Sequence, residues 1–199
     1  SRRRMPCAMG GGREVSTVGA VVVASSVGFL LLHALRQRAE LLHLRKAHEA
    51  LLKRRDELGL ALMRVRNSLM HSPASVAAGR AFVPRPDDVF IVTYPKCGTT
   101  WMMQIVHTLR SGGDMDFGEI TEVVPWDILA HDCKQNIDDP QVASPRGFKS
   151  HESWETVAKG AKYIYVARDP LDAFASFHKF LPPYMGLEAD DVSYEAFAR

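Results

Sequence analysis

Residues 89–101 read VFIVTYPKCGTTW, and the order of residue types in this stretch decides the fold. Val89 to Tyr94 is short, apolar and rich in β-branched side chains, the composition of a strand buried on both faces of a parallel sheet. Pro95 has no N–H with which to continue a ladder. From Thr99 to Leu109 the apolar residues fall at helical spacing, with Trp101, Ile105 and Leu109 on one side and Met102 and Val106 beside them. A strand that gives way to a helix over so few residues is the building unit of an open α/β sheet, where ligands bind beyond the carboxyl ends of the strands.

The turn itself suits an anion. Thr99 and Thr100 open the helix, where unpaired backbone N–H groups and the positive end of the dipole coincide, and their hydroxyls add two donors. Gly98 lets the backbone close around a ligand, and Lys96 adds a full charge. A plain helix cap explains only the threonines, whereas an anion cradle explains the whole loop. The cradle is not a Walker A loop, because no G-x-x-x-x-G-K-[ST] occurs and the lysine precedes the glycine.

A second strand-loop-helix unit follows the same logic. Tyr163 to Ala167 is a buried-type strand, Arg168-Asp169-Pro170 a turn, and Leu171 to Phe180 a helix with Leu171, Phe174, Phe177 and Phe180 in phase. Arg168 sits at the strand's carboxyl end and Ser176 about two helical turns on, within reach of one phosphate; the plain alternative is a surface ion pair between Arg168 and Asp172. Between the units, Arg146 to His151 ends a strand whose alternation puts Lys149 and His151 on one face. Histidine serves as a base near neutral pH. Phe82, Phe90, Trp126 and Phe148 are candidates for an apolar pocket or, more commonly for such residues, for the core.

The chain has 199 residues, 46% hydrophobic and 24% charged, enough to bury a core. Its three cysteines, 7, 97 and 133, form neither a disulfide framework nor a C-x-x-C zinc pair, and a reducing compartment is their simplest setting. The net charge of +2 conceals 15 Lys/Arg against 5 Asp/Glu in residues 1–85 and 10 against 18 in residues 86–199. The basic arm lacks the interleaved aromatics of a stacking platform, which argues against nucleic acid; its apolar content points to a membrane. Val15 to Leu32 carries no charge and spans about 27 Å as a helix, close to the hydrocarbon thickness. A single-pass membrane anchor is favoured over a soluble cytoplasmic chain, with a cleaved signal or transit peptide and a soluble helix as alternatives. Ala34 to Met70 reads as a long amphipathic helix with no proline and only Gly59 as a breaker, and Leu44, Leu51, Leu58 and Val65 recur every seven residues. His48 and Arg55 interrupt the seam, so a solvated stalk is expected, or a weak homodimer.

The expected organisation is therefore a basic N-terminus with a transmembrane or signal segment (1–33), a helical stalk (34–70), a linker (71–86) and an α/β domain (87–199). The fold class is α/β: part of a three-layer, P-loop-like parallel sheet flanked by helices, preceded by a hydrophobic helix and a long amphipathic one.

Three pieces together resemble the PAPS-dependent sulfotransferases of the cytosolic type, where PAPS is 3′-phosphoadenosine 5′-phosphosulfate. YPKCGTTW is similar to their 5′-phosphosulfate loop, FKSH to the segment with their catalytic histidine, and YIYVARDPLDAFASFHKF to their 3′-phosphate motif. The resemblance takes in Val124-Pro125-Trp126, runs from about Pro86 to the end, and leaves out the first 85 residues. It implies that Lys96 contacts the 5′-phosphate and bridging oxygen, that Gly98, Thr99 and Thr100 bind the phosphosulfate beside Cys97, and that Trp101 stacks on adenine. It further implies that His151 takes the proton of an acceptor hydroxyl or amine, on a small molecule or a glycan, that Lys149 stabilises the transferring sulfonate, and that Arg168 and Ser176 bind the 3′-phosphate. No metal is implied.

Cys97 stands where the family usually has serine, which replaces a hydroxyl by a weaker donor; a nucleophilic cysteine is the less favoured alternative. The sequence reads as a fragment, ending before the family's K-G-x-x-G-x-W-K type segment. The isolated 199 residues are accordingly expected to fold poorly and to bind PAPS weakly. The competing classes are a truncated, inactive membrane or coiled-coil interaction protein and another P-loop-like nucleotide-binding enzyme.

Overall fold

In the computed structural model, which describes residues 17–188 and 190–199 with side chains from Val27 onward, residues 89–101 fold as their types dictate. Strand β1 (Val89–Thr93) lies between β2 (Gly147–Ser150) and β3 (Lys162–Val166), in the order β2-β1-β3, and both pairings are parallel. The register sets Phe90 opposite Phe148 and Tyr163, and Ile91 opposite Lys149 and Ile164. Because side chains alternate across a strand, Phe90 and Phe148 fall on one face, where they pack with Phe82, Val157 and Ala158. The Phe90 and Phe148 ring centroids are 5.1 Å apart. Ile91 falls on the other face, with Met103 of helix α3 (Thr99–Ser111) and with Ile120, Val123 and Val124 in and beside α4 (Ile120–Val123). β1 and β2 are thus covered on both faces, as buried parallel strands require, whereas β3, expected as a buried-type strand, has no fully buried residue. Of the four candidate aromatics, Phe82, Phe90 and Phe148 belong to this core.

A buried ion pair fixes the strands' amino ends. Arg146 donates from Nε to Asp88 Oδ1 at 2.9 Å and from an Nη to Oδ2 at 2.6 Å, and its other Nη reaches the carbonyls of Ile137 and Asp138. Asp88 is 1% exposed, and the bidentate geometry with further carbonyl partners is what a desolvated guanidinium needs.

The helical N-terminal half differs from expectation in three respects. A single helix, α1, runs from Thr17 to Ser68, where two helices were expected, and the chain divides into compact units between Lys53 and Arg54. Gly59 does not break it. Instead the backbone of Asp191 and the Val192 side chain approach so closely that a Cβ at Gly59 would lie 2.9 Å from the Asp191 carbonyl oxygen, and the same part of α1 buries Met63 against Met185 and Val192. The stretch 71–86 is no simple linker, because Pro73–Ala81 forms α2. Ser72 caps it by accepting from the Ser75 amide, and Pro73 takes the first turn, where its missing N–H costs nothing.

Among the described residues no helix is long and apolar enough to cross a membrane. The expected span 15–32 begins outside the described residues, and its side chains are described only from Val27. The heptad residues Leu44, Leu51, Leu58 and Val65 are all exposed.

Candidate active site

All three strands deliver a loop to the same edge. After β1, Lys96 takes a left-handed backbone (φ 66°) and Gly98 another (φ 101°), which folds residues 94–98 into a tight turn ahead of α3. The start of α3 has no side-chain cap, and a Cβ built on Gly98 would meet no atom within 4 Å. Open space in front of uncapped amides at the positive end of a helix is a physical fit for an anion. After β3, Asp169 accepts from the amides of Leu171 and Asp172 and so starts helix α5 (Pro170–Tyr184). Arg168 donates from Nη1 to the Lys96 carbonyl at 3.0 Å, which ties the β3 loop to the β1 loop.

A cleft of about 650 Å³ opens along this edge. Lys96, Gly98, Thr99, Thr100 and Trp101 line it from the β1 loop and α3, Lys149 and His151 from β2, and Arg168 and Ser176 from β3 and α5. Nine of the ten residues singled out in the sequence therefore meet in one cavity. Cys97 is the exception: it is buried and does not line the cleft. Within the group, Thr100 and Trp101 are exposed, with Trp101 at 75%. The Thr99 side chain is buried, and its hydroxyl is hydrogen-bonded to that of Thr93 and so turned from the cradle. The Lys96 ammonium lies 3.8 Å from the centre of the Phe180 ring, which also lines the cleft.

His151 is the first residue after β2. Its Nδ1 donates to the Thr93 carbonyl at 2.8 Å, which leaves Nε2 as the ring's basic nitrogen. Burial pushes its pKa down to about 4; the Thr93 bond opposes this, and the charges of Lys149 and His71 reinforce it. His151 is consequently neutral near pH 7. Burial likewise lowers Lys149, to about 8, against the pull of Glu119 and Asp127. Asp127 itself is raised to about 6 by burial, opposed by hydrogen bonds from Ser150 and the Ile128 amide.

Trp126 completes this end of the cleft. Residues 125–127 run beside β2, with the Lys149 amide donating to the Pro125 carbonyl at 2.8 Å and the Asp127 amide to the Lys149 carbonyl at 3.0 Å. The Trp126 ring meets His151 edge to face at 5.1 Å and takes the Lys149 ammonium at 3.6 Å from its centre. Of the candidate pocket aromatics it alone lines the cleft. His71, which follows α1, packs edge to face on Trp126 at 4.8 Å. Nothing local in the sequence marks His71 as part of a site, because Trp126, its neighbour there, is distant in the chain.

Residues 86–199 match the family model described as the sulfotransferase domain. The chain is 37% identical to mouse sulfotransferase 2B1 over 120 residues, which cover 56% of this chain and 35% of that protein. It is 35% identical to rabbit amine sulfotransferase over 119 residues (56% and 38%) and 35% identical to human sulfotransferase 1E1 over 114 residues (50% and 37%). The chain thus spans about a third of the length of these relatives. Among solved structures, mouse sulfotransferase SULT7A1 complexed with PAP is similar with a TM-score of 0.43 at 22% identity, over 65% of this chain and 45% of that one. A putative steroid sulphotransferase of Arabidopsis thaliana gives 0.42 at 20%, over 57% and 45%. With the domain model matching more than half of its residues, the chain belongs to the sulfotransferase family.

Proposed function

We propose that the cleft transfers a sulfonate group from PAPS to an acceptor hydroxyl or amine, with His151 as the general base. The observation that carries this reading is the state of His151: neutral, held by Nδ1 on the Thr93 carbonyl, and lining the same cleft as the uncapped start of α3. PAPS, when bound, supplies the sulfonate and leaves as adenosine 3′,5′-bisphosphate (PAP). The chain's part is to align, to neutralise charge and to accept one proton, which is what group transfer to a poor nucleophile demands. The amides at Gly98 to Thr100 and the Lys96 ammonium hold the 5′-phosphosulfate end, and Arg168 and Ser176 hold the 3′-phosphate. Trp101 offers its exposed face to adenine. His151 Nε2 takes the acceptor's proton as the new S–O or S–N bond forms, and Lys149 steadies the negative charge on the sulfonate oxygens.

The test is sulfonate transfer from PAPS to hydroxyl and amine acceptors by the full-length protein and by His151→Ala. Turnover is expected to fall by about 10²–10⁴-fold while the affinity for PAP stays unchanged. Retained turnover would remove His151 from the chemistry.

Two parts of the reading concern location and assembly. The uncharged run 15–32 is proposed as a single-pass anchor, which alkaline extraction of membranes tests. The exposed heptad leucines of α1 are proposed as a weak homodimer seam, which sedimentation tests.

A further inference from the structure

Within the unit that contains the sheet, which begins at Arg54, helix α1 has two distinct faces. One is occupied: Asp56 accepts the amide and the hydroxyl of Ser193 at 2.9 and 2.6 Å, Gly59 abuts the backbone of Asp191, and Met63 is buried against Met185 and Val192. The other is open, with Leu58, Leu62 and Val65 exposed. In heptad terms Leu62 holds an a position and Leu58 and Val65 hold d, so the occupied face takes b and e and leaves the a/d seam free. The same register in the first unit puts Leu41 and His48 at a, and Leu44 and Leu51 at d, and all four are exposed. Arg55, at the a position between the two sets, directs its guanidinium to the Asp56 carboxylate, 3.5 Å away. The flanking charges select an orientation. Glu40 is at g and Arg45 at e; in a parallel pair the g residue of one copy lies beside the e residue five places on in the other, so two Glu40–Arg45 pairs form. In an antiparallel pair e lies beside e, and Arg38 and Arg45, both at e, would meet as like charges.

We propose, resting on the reading of α1 as a homodimer seam, that two copies of the chain join through it in parallel and in register, and that the layer where the two His48 rings meet makes the association weaken as the pH falls. Histidine gains its charge between about pH 8 and pH 5. Facing His48 in such a pair are the second copy's His48, Ala47, Leu44 and Leu51. The nearest charges on its own helix are Arg45, a turn before, and Glu49, at the outward b position. Among the facing residues there is no carboxylate, and Ala47 at g and Leu52 at e shut the layer from water. Neutral rings pack there, whereas two imidazolium ions would repel one another in a desolvated layer. Upstream, Ala34 at a and Gln37 at d make weak layers, so the pairing depends on Leu41, Leu44, Leu51 and the His48 layer among them.

Sedimentation equilibrium of the full-length protein in a non-ionic detergent tests this. The unmodified protein is expected to dimerise at about pH 7.5 and to do so at least about tenfold more weakly at about pH 5.5. His48→Leu is expected to pair more tightly and to lose that pH dependence. Glu40→Arg weakens the dimer about tenfold, and Glu40→Arg combined with Arg45→Glu restores it to within about twofold, because both pairs re-form with their signs exchanged. Leu44→Asp leaves a monomer. No recovery in the double variant, or an unchanged pH dependence in His48→Leu, overturns the proposal while the seam reading stands. A dimer undiminished by Leu44→Asp, or an unmodified protein that stays monomeric at about 100 μM, removes the seam reading itself and the proposal with it.

Discussion

The two sides of β1 are built differently. On the β2 side Phe148 and Ser150 are fully buried, residues 125–127 extend the pairing, and His151 and Lys149 are desolvated. On the β3 side Tyr165 is 72% and Leu171 78% exposed, and Arg168 stands open to solvent. The groups proposed to move a proton and steady charge are thus held in a low-dielectric wall, where their electrostatic effect is large. Arg168, proposed to bind the nucleotide, lies on the open side, where it can meet a ligand that brings its own charge.

The comparison is broken most severely by removing what supports the buried side. Asp88→Ala leaves Arg146 buried without its carboxylate, and unfolding is expected to become easier by about 3–5 kcal/mol in a denaturant titration. Lys149→Ala is expected to lower kcat by about 10²–10³-fold with the fold retained. The pH dependence of kcat/KM sharpens the same point. His151 must be neutral and Lys149 charged, so the rate rises through about pH 4 and falls through about pH 8; Lys149→Arg removes the alkaline limb, because arginine stays protonated. The open side answers more gently. Arg168→Ala is expected to weaken PAP binding about tenfold by calorimetry and to leave stability within about 0.5 kcal/mol, because the side chain is exposed and bonds only to the Lys96 carbonyl.

Where periodicity is strong, the sequence and structure agree closely. The strand expected at 89–94 ends at Thr93, the helix expected from Thr99 to Leu109 runs to Ser111, and the strand expected at 163–167 lies at 162–166. The candidate residues converge because each lies at the end of a strand, in the loop after it or in the helix that loop starts, and parallel strands bring those loops to one edge. The misses have local and non-local causes. Ser72-Pro73 was a legible helix start, an N-cap followed by proline in the first turn, hidden within a run of small residues that reads as linker. Gly59 is a glycine for close packing rather than for a break, a distinction that depends on Val192 far along the chain. The place of Cys97 follows from the positive φ values of Lys96 and Gly98 on either side, and composition alone does not give them. His71 meets Trp126 across 54 intervening positions with no periodic signal to announce it.

The most direct test of the account is the protonation of His151, followed by nitrogen-15 NMR of the imidazole through a pH titration of the full-length protein. The account predicts a single proton on Nδ1, a bare Nε2 at neutral pH, and protonation only as the pH falls through about 4. A proton on Nε2 at neutral pH, or titration near the ordinary histidine value of about 6.5, would contradict it.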